Sequence, residues 1–441
     1  MNSRIYFDNA CTSFPKPDSV ADVMVDYIKN IGANINRGCY TSAYSVEETV
    51  YETRDLLCKL FNGPDPRNVV FTRNITESLN FIIKGLLNPG DHVLVSSMEH
   101  NAVMRPLTQE LDNGITFDRI PCAIDGTMNV HDIEALIGPN TKAIIMLHAS
   151  NVCGTILPVM EVGAICKKHN LFFILDSAQT AGSIAIDMEA MNIDALSFTG
   201  HKGLLGPQGI GGFILKDHMI SKITPLISGG TGSISHTEDI PDFMPDRFEA
   251  GTMNIPGIIG LNASLKWIKE TGIDNIYRSE MSLTEHMLNE LIKLEATTGG
   301  IKVVGKKSMD LRTSVISITT PAHEQSQIAF ALDEDYGIMT RVGLHCAPSA
   351  HKTLDTYPTG TIRFSFGPHN THDEIDIAIN ALRELPHRHE GGFPHYPSHH
   401  RYGYTYGHTG RLSNRGKAYR TQITYPCGKV ASAHFLIYML N

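Results

Sequence analysis

Between Val69 and Leu215 the chain alternates short, wholly apolar runs with stretches in which apolar residues recur every three or four positions. The short runs read as strands: the start of VVFTRNITESLNFIIKGL, then HVLVSS (92–97), ITFDRI (115–120), AIIMLHAS (143–150), FFILDSA (172–178), ALSFTG (195–200) and GGFIL (211–215). Strands that are apolar on both faces belong in a sheet covered on both sides. Alternation with helical stretches therefore predicts an α/β domain with a mainly parallel sheet.

The flanks follow other patterns. Arg4–Phe7 reads as a short strand, followed by a turn-prone DNACTSFPKP and two helices, SVADVMVDYIKNIG and SVEETVYETRDLLCKLFNG, separated by the polar loop 34–42. Residues 228–254 are rich in glycine, proline and acids with little periodicity, the profile of a long functional loop. From Pro256 onward GIIGLNASLKWIKETG, EMSLTEHMLNELIKLEAT, SVISITT, QSQIAFALDEDYG, IMTRVG, TIRFSFG and HDEIDIAINALREL compose a smaller α+β unit. The expected division is a large domain at 15–256, a small domain made of 1–14 and 257–385, and a tail at 386–441.

Composition narrows the class. The 441 residues carry a net charge of −9, which argues against nucleic acid as the main partner. The tail runs against that sign, with seven Lys or Arg and one acid, and its seven histidines match no standard metal spacing. No apolar run reaches the roughly 20 residues that cross a bilayer, and MNSRIYFDNA lacks the features of a signal peptide. The eight cysteines form no CxxC pair. A reduced cytoplasmic protein with no membrane partner is the expectation.

Candidate chemistry concentrates between Phe172 and Gly212. Asp176 and Gln179 close one strand, and Lys202 follows the next, beside His201 and among Gly203, Gly206 and Gly209. An aldehyde cofactor such as pyridoxal phosphate needs a lysine for its Schiff base and a carboxylate to keep its pyridine nitrogen protonated. In parallel sheets ligands sit at the carboxyl ends of strands, where His100 and Asn151 also fall. A helix expected to start near Thr76 offers N–H groups and a hydroxyl as a phosphate seat.

The ordered motifs DNACTS, NRG, TRNITESLN, SMEHNA, HASNVCG, LDSAQ, SFTGHK, GPQGIGG, RFEAGTMN, RVGLHCAP and IRFSFGPHN resemble the pyridoxal-phosphate cysteine desulfurases of the class V aminotransferase superfamily. The resemblance covers roughly residues 4–385, and the short RVGLHCAP segment is similar to the group that includes selenocysteine lyases. It implies a fold type I architecture: a large α/β domain with a mainly parallel seven-stranded sheet and a smaller α+β domain. It implies a homodimer whose site is shared between subunits.

Site roles follow from the same resemblance. Lys202 would carry pyridoxal 5'-phosphate and move the Cα proton, Asp176 would face the pyridinium nitrogen, and His100 would stack on the ring. Gln179 and Asn151 would meet the phenolic oxygen, with Asn151 also near the substrate. Thr76, Thr199 and His201 would hold the phosphate, with Thr252 from the neighbouring subunit. Arg363 would grip the substrate carboxylate, and Cys346 would take the sulfur as a persulfide for an acceptor protein. Arg341 and His345, close in sequence, are candidate sources of the positive charge that favours a thiolate at Cys346. L-Cysteine is the expected substrate and L-selenocysteine the runner-up. A transaminase- or epimerase-like member would keep Lys202 and Asp176 without depending on Cys346. Cys11 and Cys153 receive no catalytic role.

Overall fold

The computed structural model describes residues 4–35, 38–388, 418–424 and 430–436. The chain forms two compact units, Met1–Phe393 and Pro394–Asn441. In the first, β1 (Ile5–Tyr6) leads into α1 (Asp18–Asp26) and α2 (Thr41–Phe61), and α1 continues as a π-helical turn at Tyr27–Ile31. Then come β2 (Val69–Thr72), α3 (Ile75–Leu86), β3 (His92–Ser96), α4 (Asn101–Glu110), β4 (Thr116–Ile120), β5 (Thr141–Leu147) and α5 (Val159–His169). The strands β6 (Phe172–Asp176), β7 (Ala195–Thr199) and β8 (Gly211–Leu215) precede a one-turn helix, α6 (Asp217–Ile220).

These strands build one seven-stranded sheet in the order β2-β8-β7-β6-β5-β3-β4. Only β8 runs against its neighbours, pairing antiparallel with β2 and β7, and every other pairing is parallel. The mainly parallel seven-stranded sheet expected from the sequence is present. In β5, Ile144 and Met146 join the core on one face while Ala143 and Ile145 join the core on the other. One core takes Leu57 and Phe61 of α2, and the other takes Leu79 and Ile82 of α3 with Val103 and Leu107 of α4. Burial on both faces is why the strand sequences show no polar alternation.

Residues 228–254 carry no helix or strand. The loop is tied down by Glu249, whose carboxylate receives two N–H groups of buried Arg54 at 2.9 and 2.6 Å and the N–H of Phe71 at 2.7 Å. After it, α7 (Ile255–Thr271) buries Ile258, Leu261 and Leu265 in the α2 core, so the expected boundary at Pro256 falls in a helix that packs on the large sheet. Next come α8 (Ile273–Thr298), β9 (Lys302–Val304), β10 (Val315–Thr319), α9 (Gln325–Tyr336), β11 (Ile338–Met339), β12 (Arg341–Gly343), α10 (Pro348–Thr353), β13 (Thr361–Ser365) and α11 (His372–Arg388). An antiparallel sheet in the order β12-β13-β10-β9 shares its own core with α8, α9 and α11, and β1 pairs in parallel with β11. The run IMTRVG splits at Thr340 between two sheets.

The second unit contributes a hairpin of β14 (Ala418–Thr424) and β15 (Val430–Leu436). Of the tail expected at 386–441, residues 386–388 belong to the end of α11, and the rest apart from this hairpin lies outside the described residues. Among the described residues no helix is long and apolar enough to cross a membrane.

Candidate active site

The carboxyl ends of β5, β6 and β7 converge with the N-terminal segment and with β12 and β13. Asp176 closes β6, is 4% exposed, and accepts the N–H of Ala178 at 2.9 Å. Burial pushes its carboxyl above the ordinary aspartate range, opposed by that N–H and by the charge of Lys202. Lys202 lies three residues beyond β7 and is half-buried. Burial drives its ammonium below the ordinary lysine range, and Arg363 adds to the push while Asp176, Cys11 and Asp8 oppose it. A carboxyl and an amine that are both costly to charge mark this turn as a candidate site.

The turn carrying Lys202 has no slack. A Cβ on Gly203 would stand 2.5 Å from the Ala181 carbonyl oxygen, and one on Gly182, where φ is +93°, would stand 2.2 Å from the Gly203 oxygen. Gln179 donates to the Ala10 carbonyl at 3.1 Å, which joins this turn region to the N-terminal segment. A small cavity of ≈ 40 Å³ lies here, lined by Lys202, Gln179, Asn9, Ser13, Glu280 and Ser314 among others.

Several polar atoms around this point are buried without a hydrogen-bond partner: Thr199 Oγ1, His201 Nδ1, Asn151 Oδ1 and Arg363 Nε. Groups so buried cost free energy unless something satisfies them. His201 is held neutral, its imidazole pushed down to about 4 by burial and by Lys202 and Lys16. His100 caps α4, accepting the Ala102 N–H at 3.0 Å, and burial together with Lys202 lowers it to about 4.

Arg363 is 3% exposed on β13. One arm donates to the Asn151 carbonyl at 3.0 Å and the other to Asp8 Oδ1 at 2.8 Å. Burial lowers its guanidinium from the ordinary value, with Asp8 opposing. Asn151 in turn donates to the His345 carbonyl at 2.8 Å, and the Asn101 N–H donates to the Cys346 carbonyl at 2.8 Å. These bonds pin His345 and Cys346, which adopt left-handed backbone angles in succession (φ +48° and +57°). Such a pair is costly for non-glycine residues and persists where neighbours over-determine it. Cys346 is an exposed free thiol.

Two sequence expectations change here, those for Arg341 and His345. Arg341 donates to Cys11 Sγ at 3.1 Å and lies 3.7 Å from Asp8, so its recorded partners are not Cys346. His345 pairs through Nε2 with Thr361 Oγ1 at 2.9 Å, and burial pushes its imidazole to about 2, so it brings no positive charge to Cys346. The helix α3 starts at Ile75 with Asn74 as its cap, accepting the Glu77 N–H at 3.0 Å; Thr76 is an exposed first-turn residue. Thr252 is not brought to Lys202 within the chain: it is exposed and lines a separate cleft with Asn34, Ile35, Gly230 and Asp246. Asp8, which meets both arginines, was missed; its only sequence signal was an acid just after the first strand.

Residues 5–377 match the family model described as Aminotransferase class-V. The chain is 34% identical over 393 residues to a probable cysteine desulfurase of Pyrococcus abyssi, covering 86% of this chain and 94% of that protein. It is 31% identical over 387 residues to a probable cysteine desulfurase of Halalkalibacterium halodurans, covering 86% and 92%. Among solved structures, the apo structure of a cysteine desulfurase from Thermococcus onnurineus NA1 superposes with a TM-score of 0.81 at 31% identity, covering 87% of this chain and 94% of that one.

Proposed function

Since the chain belongs to the class-V aminotransferase family, we infer that it is a pyridoxal-phosphate-dependent cysteine desulfurase that converts L-cysteine to L-alanine and leaves the sulfur on Cys346. The observation that carries this reading is the half-buried Lys202 and the buried Asp176 at neighbouring strand ends, with polar atoms around them that are buried without partners. That donor and acceptor set fits a flat anionic cofactor with a basic ring nitrogen and a phosphate.

When bound, pyridoxal phosphate supplies an aldehyde that links to an amine and a ring that draws electrons from the substrate Cα. Lys202 is its attachment point and, once freed, the base that holds and moves the Cα proton, a role that its lowered affinity for a proton supports. Asp176 supplies the carboxylate for the ring nitrogen. Thr199, His201 and the first turn of α3 at Thr76 hold the phosphate, and Gln179, Asn151 and His100 complete the ring's surroundings. Arg363 takes the substrate carboxylate by exchanging or sharing Asp8. The Cys346 thiolate would attack the substrate sulfur, an S–S bond forming as the C–S bond breaks with its electron pair passing to the substrate carbon, which takes up a proton to become alanine's methyl group, and the persulfide waits for an acceptor protein.

The exposed apolar side chains Val25, Ile28 and Ile31, and the exposed Tyr40, Tyr44 and Tyr51, support a second copy of the chain as the covering partner. The cleft containing Thr252 includes Asn34 and Ile35 from the same region, which supports Thr252 serving a neighbouring subunit. The lack of a cation at Cys346 from either Arg341 or His345 favours one second reading, a selenocysteine lyase, in which selenium leaves without thiolate attack.

Purified protein supplied with pyridoxal phosphate tests the first reading. Hydride should fix the cofactor on the peptide containing Lys202, and L-cysteine should yield alanine. Absence of label at Lys202 would overturn it.

A further inference from the structure

The peptide linking His201 to Lys202 is gripped by a segment from the other end of the sequence. The His201 carbonyl oxygen receives the Ser13 N–H at 2.9 Å and Lys16 Nζ at 3.2 Å, and the hydroxyls of Thr12 and Ser13 lie at 3.1 and 3.2 Å. Lys16 spends its other two N–H groups nearby, on the Ser13 carbonyl at 3.2 Å and Ser13 Oγ at 2.9 Å. An ammonium has three N–H donors, and here each meets a neutral oxygen. A neutral amine keeps only two N–H groups, so loss of the proton breaks one bond of the clamp. On its far side the same turn is packed against Ala181 and Gly182, which leaves the His201 carbonyl as the face by which the N-terminal segment holds it.

We infer that Lys16 is a positioning residue for Lys202, its ammonium anchoring the carbonyl that leads directly into the reactive lysine. This rests on the reading that Lys202 carries pyridoxal phosphate. The anchor is charge-dependent in a useful range: burial alone pushes the Lys16 ammonium down to about 8. The titratable groups facing it are His201, already neutral above about pH 4, and Lys202 beyond it. The clamp is therefore complete below pH 8 and loosens above it.

The test uses full-length holoenzyme of wild type, Lys16→Gln and Lys16→Arg. The readouts are the pH dependence of the cofactor absorbance between pH 6.5 and 10, of the rate at which hydride fixes the cofactor on Lys202, and of kcat and KM for L-cysteine. Wild type must first show hydride-fixed cofactor on the Lys202 peptide; if it does not, the cofactor reading fails and the failure is not that of Lys16. Given that label, wild type is expected to show an inflection near pH 8 in the fixation rate. Lys16→Gln should lack that inflection and lose about tenfold in kcat with little change in KM. Lys16→Arg, which stays charged, should recover most of kcat and hold it past pH 9. Ser13→Ala, which removes one acceptor of the ammonium, should move the inflection to lower pH without removing it. An inflection near pH 8 that persists in Lys16→Gln overturns the inference, as does a wild type with none.

Discussion

Replacing Asp8 by alanine probes the charge arrangement around Arg363 directly. The ion pair spans 2.8 Å, with side-chain exposures of 3% for Arg363 and 14% for Asp8. Truncating Asp8 leaves a buried guanidinium with the Asn151 carbonyl as its remaining partner among the described residues. Breaking a buried pair in this way costs about 3–5 kcal/mol, and the partial exposure of Asp8 points to the lower end, about 3 kcal/mol. Unfolding entropy of about 2.1 cal/mol/K per residue gives ~0.8 kcal/mol/K for a unit of roughly 390 residues, so Tm should fall by about 4 °C. Arg341 offers the internal comparison: it lies 3.7 Å from Asp8 with its side chain 46% exposed. Arg341→Gln should therefore cost under about 1 kcal/mol and move Tm by ~1 °C. Circular dichroism melts of the three proteins at equal cofactor loading decide the matter. In the same variants KM for L-cysteine should fall in Asp8→Ala, because a substrate carboxylate then meets an uncompensated cation. A Tm for Asp8→Ala within a degree of wild type, or one matched by Arg341→Gln, would refute the reasoning.

Three further outcomes follow from the same geometry. Asp176→Asn should keep the cofactor bound while lowering kcat by about 10²–10⁴-fold, measured by alanine release alongside the cofactor spectrum; an active variant would remove Asp176 from the chemistry. Gly203→Ala puts a Cβ 2.5 Å from the Ala181 oxygen, so it should destabilise by about 1–3 kcal/mol and slow hydride fixation at Lys202, whereas unchanged fixation would show the turn to be slack. Glu280 is buried and accepts from Ser314 Oγ at 3.2 Å, and burial raises its carboxyl to about 8. Between the unfolded value near 4.5 and 8 the folded state holds a proton that the unfolded chain has released, so stability falls as pH rises across that window. Glu280→Gln should thus gain Tm relative to wild type at pH 8 compared with pH 5, and an equal difference at both would contradict this.

The large sheet was legible because its strands are buried on both faces: β6, β7 and β8 begin where their apolar runs begin, with ends shifted by no more than two residues. The smaller unit was harder to read. The three-residue β9 is too short to show a period, and α8 starts at Ile273, seven residues ahead of the run read as helical, with Ile276 buried in that added stretch. The helix expected to start near Thr76 starts at Ile75, capped by the amide oxygen of Asn74. At the site, Lys202, Asp176, His100 and Asn151 were readable as polar residues at the ends of apolar strands. Asp8 and Lys16 were not, because their partners lie 355 and 185 positions away and only the folded chain brings them together. Arg341 misled for a related reason: proximity to Cys346 along the chain says nothing about direction, and its arm reaches Cys11 instead.

The central claim is that Lys202 and Cys346 divide the labour of desulfuration, and one comparison tests it most directly: alanine release from L-cysteine and from L-selenocysteine by wild type and Cys346→Ala side by side. The expected result is alanine from both substrates with wild type, and loss of the L-cysteine reaction alone in the variant. Alanine from neither substrate with wild type, or undiminished release from L-cysteine by Cys346→Ala, would contradict it.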